Sequence, residues 1–161
     1  MASKRLRELL DQHHVKYVVT VHSPAYTAPE IAQHAHVRGR SFAKTVLVRA
    51  GPNAAIAVLP ATHHIEFAWL SRVLEYDDVR LATEDECRRM FDDCEAGAMP
   101  PFGSMYGLRL LCDTSMAGSS DIVFNAGNHH EVIRMSFHDW VAIARPQFAS
   151  FATGSATPVV V

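Results

Sequence analysis

The sequence has no apolar stretch of membrane-spanning length. Runs such as residues 54–60 (AAIAVLP) stop far short of the roughly 20 residues a spanning helix needs. The N-terminal MASKRLRELL is amphipathic but lacks the apolar core and cleavage site of a signal peptide, so a cytoplasmic protein is expected. Cysteine is scarce. Cys87, Cys94 and Cys112 are odd in number and form no CxxC, which excludes a disulfide framework and points to free thiols in a reducing compartment. Excess charge of one sign is also missing. With a formal net charge of −2, the chain is not built to coat a DNA duplex, and any nucleic-acid contact must be local. No internal repeat and no linker rich in Pro, Gly or Ser divides the chain. What is present is 161 residues, 48% hydrophobic and 20% charged, enough for one soluble domain with a real core.

Hydrophobic spacing and turn chemistry divide the chain into short elements. Leu6, Leu9 and Leu10 predict a helix over residues 3–14, and KYVVTV (16–21) predicts a strand. Thr27, Pro29 and Glu30 open a second helix, to about Ala35. Residues 44–49 (KTVLVR) and 54–59 flank a Gly51-Pro52-Asn53 turn and read as a hairpin. Residues 64–74 read as helix, and so do residues 83–91, with Thr83 as cap and Glu86 three residues later. Strands are expected at 108–112, 122–125 and 130–135, then a helix over 136–144 capped by Ser136. Helices scattered among hairpins, without regular βαβ alternation, imply an α+β fold with a mixed, largely antiparallel sheet. One domain over residues 1–148 and a flexible tail over 149–161 are expected.

Three places could carry chemistry. Lys44 opens an apolar strand; it is either a solvated edge charge or a cation that grips a phosphate or polarises a hydroxyl. Arg38, Arg40 and Arg49 make its surroundings the most basic part of the middle chain. The GAMPPFG loop (97–103) has glycines at its ends and Pro100-Pro101 between. It is a tight surface loop or a rigid turn whose N–H groups could hold an oxyanion. In FNAGNHHE (124–131), Ala126-Gly127 makes a sharp turn; Asn128 and His129 beyond it either satisfy the turn or face a cleft. His34/His36, His63/His64 and His129/His130 match no metal motif, and adjacent strand residues point to opposite faces, so no metal is expected. Cys94 beside Glu95 reads as a structural thiol rather than a nucleophile. There is no GxSxG, Walker loop or GxGxxG.

The order of HSPAYTAPEIA, GRSFAKTVLV, RLATEDECRRMF, GAMPPFG and FNAGNHHEVIRM resembles the YbaK/prolyl-tRNA-synthetase-associated editing family over roughly residues 3–145. In that family a lysine stands at the strand start, where Lys44 falls; a Gly-x-x-x-Pro loop matches Gly97 through Pro101, and an Ala-Gly turn matches Ala126-Gly127. The resemblance implies a compact α+β domain that hydrolyses the ester joining a misattached amino acid to the terminal adenosine of a tRNA, often that for proline. It implies no metal, no cofactor and no covalent intermediate. Catalytic duties fall on Lys44, Gly97 and Pro101. Thr20, Tyr26, Thr27, Thr45, Ala98, Met99, Gly127, Asn128 and His129 would line the substrate site. Cysteine-directed relatives carry an acid at the Asn128 position, which this chain lacks. The expected partners are an aminoacyl-tRNA 3′ end and a synthetase, with no membrane and no DNA, and the chain is expected to be freestanding. The alternative is a non-catalytic module of the same fold that binds a tRNA end or a synthetase; a histidine-based metallohydrolase is a third, weaker reading.

Overall fold

The computed structural model describes residues 3–23 and 41–154. The helix expected from Thr27 lies outside the described residues. Four α-helices are described: α1 (Lys4–Gln12), α2 (Phe67–Leu74), α3 (Glu84–Met90) and α4 (Phe137–Ala144). The strands are β1 (Tyr17–Val21), β2 (Ala43–Ala50), β3 (Asn53–Pro60), β4 (His63–Ile65), β5 (Val79–Leu81), β6 (Arg109–Asp113), β7 (Asp121–Asn125), β8 (Glu131–Ser136), β9 (Gln147–Ala149) and β10 (Ala152–Gly154).

Five strands form one sheet in the order β5-β2-β3-β6-β9, three form another in the order β1-β8-β7, and β10 pairs with β4. The β2–β3 hairpin is antiparallel with Lys44 opposite Leu59, whereas β6 runs parallel to both β3 and β9. A parallel bridge from Phe42 to Val123 links the two larger sheets. This is the mixed, mostly antiparallel α+β architecture the sequence pattern implied.

Strand alternation assigns the sheet's two faces. Ala43, Leu47, Ile56, Val58, Leu110 and Cys112 point to the main core, where Leu6 and Leu10 of α1 and Trp140 of α4 are also fully buried. Val48, Ala50, Ala55, Ala57, Leu59 and Leu111 point the other way, towards Leu70 of α2 and Phe151. Phe42, Val123 and Val132 form a small third cluster. The caps are chemically explicit. Thr83 and Glu86 close a reciprocal capping box on α3, and the Ser136 hydroxyl accepts from the Asp139 N–H at 3.3 Å on α4.

Two expectations need correction. The helix expected over residues 64–74 begins only at Phe67, because His63–Ile65 pair with β10 and the Glu66 N–H donates to the Phe151 carbonyl at 2.7 Å. The chain also stays in the fold beyond residue 148. The buried Asp113 carboxylate accepts from the N–H groups of Phe151 and Ala152 at 2.9 and 3.0 Å, and the Phe151 ring is fully enclosed. The domain therefore extends to at least Gly154, the last described residue.

Candidate functional site

The loop after α3 and the turn between β7 and β8 form one hydrogen-bonded corner. The Ala98 N–H donates to the Glu95 carbonyl at 3.1 Å, closing a tight turn in which Gly97 takes a φ of 81°. Gly127 takes a φ of 96°, and a methyl group there would lie 3.2 Å from Ser3 Cβ and 3.5 Å from Cys94 Sγ. Both positions require glycine for the same steric reason. The loop and turn then exchange bonds: Glu95 N–H to the Gly127 carbonyl at 2.8 Å, and Gly127 N–H to the Ala98 carbonyl at 3.0 Å. Ring nitrogen Nε2 of His129 lies 2.8 Å from the Ala96 carbonyl, so this imidazole stands beside Gly97 as a strut.

Asn128 is buried. Its Oδ1 accepts from the N–H groups of His130 and Glu131, both at 2.8 Å, while Nδ2 donates to Glu131 Oε1 at 3.2 Å. Of the two roles open to this residue in the sequence, the structure displays the turn-forming one. Glu131 also faces Arg7 at 3.6 Å. Behind the loop, Asp93 accepts from the Ser3 hydroxyl at 2.6 Å, the Tyr106 hydroxyl at 2.9 Å and the Cys94 thiol at 3.3 Å. Burial alone would raise the Asp93 carboxyl, but these donors and Arg5 hold it below the usual carboxylate range. Burial pushes the Cys94 thiol up to about 12, which leaves it protonated and not nucleophilic. Nothing in the sequence pattern singled out Asp93, since its partners come from Ser3 and from Tyr106, far along the chain.

The remaining loop residues pack into the fold. Pro101 is buried and its carbonyl accepts from Trp140 Nε1 at 3.0 Å, tying the loop to α4. Ala98 is buried, and Met99 is buried in the main core. Prolines carry no N–H, and that of Ala98 is taken, so among the described residues the loop donors at 97–101 without an internal partner are Gly97 and Met99.

Lys44 is placed by the sheet rather than by contact with this corner. Two residues beyond the Phe42–Val123 bridge stand Lys44 on one strand and Asn125 on the other, next to the Ala126-Gly127 turn. The Lys44 side chain is half-buried, no carboxylate among the described residues pairs with it, and burial lowers its pKa. Thr20 lies opposite Val132, itself opposite Asn125, in one row across the sheet. Thr45, one residue on from Lys44, belongs to the other sheet face. Tyr26, Thr27, Arg38 and Arg40 lie outside the described residues. Arg49 is not part of a basic patch with Lys44: it points to the opposite face and pairs with Glu86 at 3.2 Å. Among the described residues no group of three or more His, Cys, Asp or Glu side chains could hold a metal ion, and no helix is long and apolar enough to cross a membrane.

The family model of the aminoacyl-tRNA editing domain matches residues 22–143. Among solved structures, a candidate trans-editing enzyme for prolyl tRNA synthetase superposes with a TM-score of 0.83 at 20% identity, covering 94% of this chain and 97% of that one. A hypothetical protein aligns at 0.81 and 16% identity, over 93% of this chain and 100% of its own. A protein from Marinobacter aquaeolei VT8, described as concerned with signal transduction, aligns at 0.73 and 15% identity over 95% of this chain but only 31% of its own, so the same fold also occurs inside longer proteins. No curated protein matches.

Proposed function

Because the chain belongs to the aminoacyl-tRNA editing domain family, we propose that it is an aminoacyl-tRNA deacylase acting in trans, which removes a small misattached amino acid from a tRNA 3′ end. One observation carries the reading: Lys44 is a half-buried ammonium to which no described residue offers a partner, level with the strand residue that precedes the Ala126-Gly127 turn. Burial without a counter-ion disfavours the charged form, and an incoming phosphate or ribose oxygen would restore what the fold withholds.

The chemistry asks little of side chains. An aminoacyl ester is already activated, so hydrolysis rests on positioning and on stabilising the anion that forms. Water attacks the ester carbonyl carbon and a C–O bond forms. Negative charge collects on the carbonyl oxygen, opposite the N–H groups of Gly97 and Met99. The bond to the ribose oxygen then breaks, and the water's proton ends on that oxygen. Lys44 holds the terminal nucleotide, and His129 keeps the Gly97 turn in shape from its bond to the Ala96 carbonyl. One oxyanion donor is typically worth about 3 kcal/mol of barrier. A synthetase is the natural partner for such an enzyme, and tRNA for proline is the first tRNA to examine.

The test is release of amino acid from tRNAs charged with alanine, serine, threonine, cysteine or proline. Rapid release of one mischarged residue by the purified protein is the expected result. Binding of tRNA without release from any of them would assign the chain to tRNA-end recognition instead.

A further inference from the structure

The face of the β1-β8-β7 sheet that points away from the main core carries a second cation to which no described residue offers a partner. Val18, Arg134, Val123 and Phe42 form one row across four consecutive segments. Thr20, Val132 and Asn125 form the next row, on the Lys44 side. On the other side of Arg134, Lys16, Asp121 and Ser136 line a shallow hollow of about 240 Å³ together with Arg134 and Val18. Arg134 is half-buried in the middle strand, yet among the described residues neither a carboxylate nor a carbonyl accepts from it. Asp121 lies diagonally across without forming an ion pair with it. Lys16 is exposed, and so is Val18 at 49%. The contrast with other arginines is direct: Arg49, Arg80 and Arg88 all reach carboxylates of α3. From Thr20 back to Lys16 is four residues of extended chain, about 13 Å.

We propose that Arg134, supported by Lys16, is a phosphodiester-binding subsite that holds the nucleotides preceding the terminal adenosine of the tRNA. The inference rests on the editing function proposed above. A guanidinium offers a planar fork of donors to a phosphate, and one that no described residue pairs, standing in a hollow, can take that ligand without first breaking a bond to them. Along β1 the exposed Lys16 and Val18 lead from this hollow to the half-buried Thr20 at the sheet edge, and Lys44 follows the buried Phe42 on the same side of the chain. The two cations would then grip one RNA strand at two points.

The subsite is tested by comparing two substrates that carry the same amino acid: an aminoacyl-tRNA and the matching 3′-aminoacyl-adenosine, which has no upstream phosphate. Arg134→Gln should raise KM for the tRNA about 5-fold or more, leave the adenosine ester unchanged, and flatten the salt dependence of tRNA binding by about 0.7 in log–log slope. Arg134→Lys should keep that slope. Arg88→Gln, which removes a charge on α3, controls for net charge. Equal losses in Arg134→Gln and Arg88→Gln, or equal losses on both substrates, would overturn the subsite while leaving the deacylase intact. Failure of the unaltered protein to cleave either ester or to bind tRNA would instead overturn the function on which the subsite depends.

Discussion

The corner around Gly97 and Gly127 and the sheet face around Lys44 and Arg134 are both polar, but they spend their polarity differently. At the corner, Asn128, Glu131, His129, Asp93, Tyr106 and Cys94 bond to one another or to backbone. On the sheet face, Lys44 and Arg134 are half-buried cations to which the described residues offer no partner. The polar side chains of the corner thus hold two loops in register. Among the described residues, the groups at these two places left for a ligand are two cations and a few backbone N–H groups. Substitutions at the corner should strike stability first, and substitutions on the sheet face should strike function first.

Four substitutions sharpen that contrast. Asp93→Ala leaves the Ser3, Tyr106 and Cys94 donors without their acceptor and should cost roughly 2–4 kcal/mol, read from chemical denaturation. Gly127→Ala forces a side chain onto a left-handed backbone position and against Ser3, for about 1–3 kcal/mol. Asn128→Ala removes the acceptor of two turn N–H groups and should cost about 1–2 kcal/mol. Destabilisation in this series without loss of the corner's backbone pairing, followed by amide exchange, would break the view of the corner as scaffold. Lys44→Met should leave the melting temperature at neutral pH unchanged or slightly raised, because the lowered pKa means that the folded state disfavours the ammonium.

Acid should expose the same division. Asp93 and Glu131 both sit below their ordinary values, Glu131 because Asn128, Arg7 and other favourable contacts outweigh its burial. A lowered carboxylate pKa means that the unfolded chain binds more protons in the window between the two values. The stabilisation is therefore full above the ordinary carboxylate pKa of about 4 and is lost as pH falls towards the folded value. Asp93→Asn should flatten the fall in melting temperature below about pH 5. An unchanged acid profile in that variant would remove Asp93 from the account.

Much of this was legible in the sequence where the signal is local. The α3 capping box, the Ser136 cap and the β2–β3 hairpin each lie within a few residues of chain, and each formed at the expected place. Three-residue strands were not legible, because β4 is defined only by pairing with β10 some 90 residues away. A separation of 38 residues hid the ordering of residues 149–154, which depends on Asp113 reaching across the fold to Phe151. For the candidate site, glycine positions and the Ala-Gly turn could be named from the pattern. Which polar side chains were already committed could not, since both a turn and a cleft reading stayed open for Asn128 and His129 until their partners were placed. Arg134 was invisible for a related reason: a polar residue in a strand declares its face only when the register is known.

The most direct measurement compares Lys44→Ala with Asn128→Ala on the mischarged tRNA that the protein cleaves, at a temperature where both variants are folded. The account predicts that Lys44→Ala loses about 100-fold or more in kcat/KM with its melting temperature intact, whereas Asn128→Ala melts earlier but keeps most of its rate. Full activity in Lys44→Ala together with loss in Asn128→Ala would contradict it, and would move the grip on the substrate from the sheet face to the side chains of the corner.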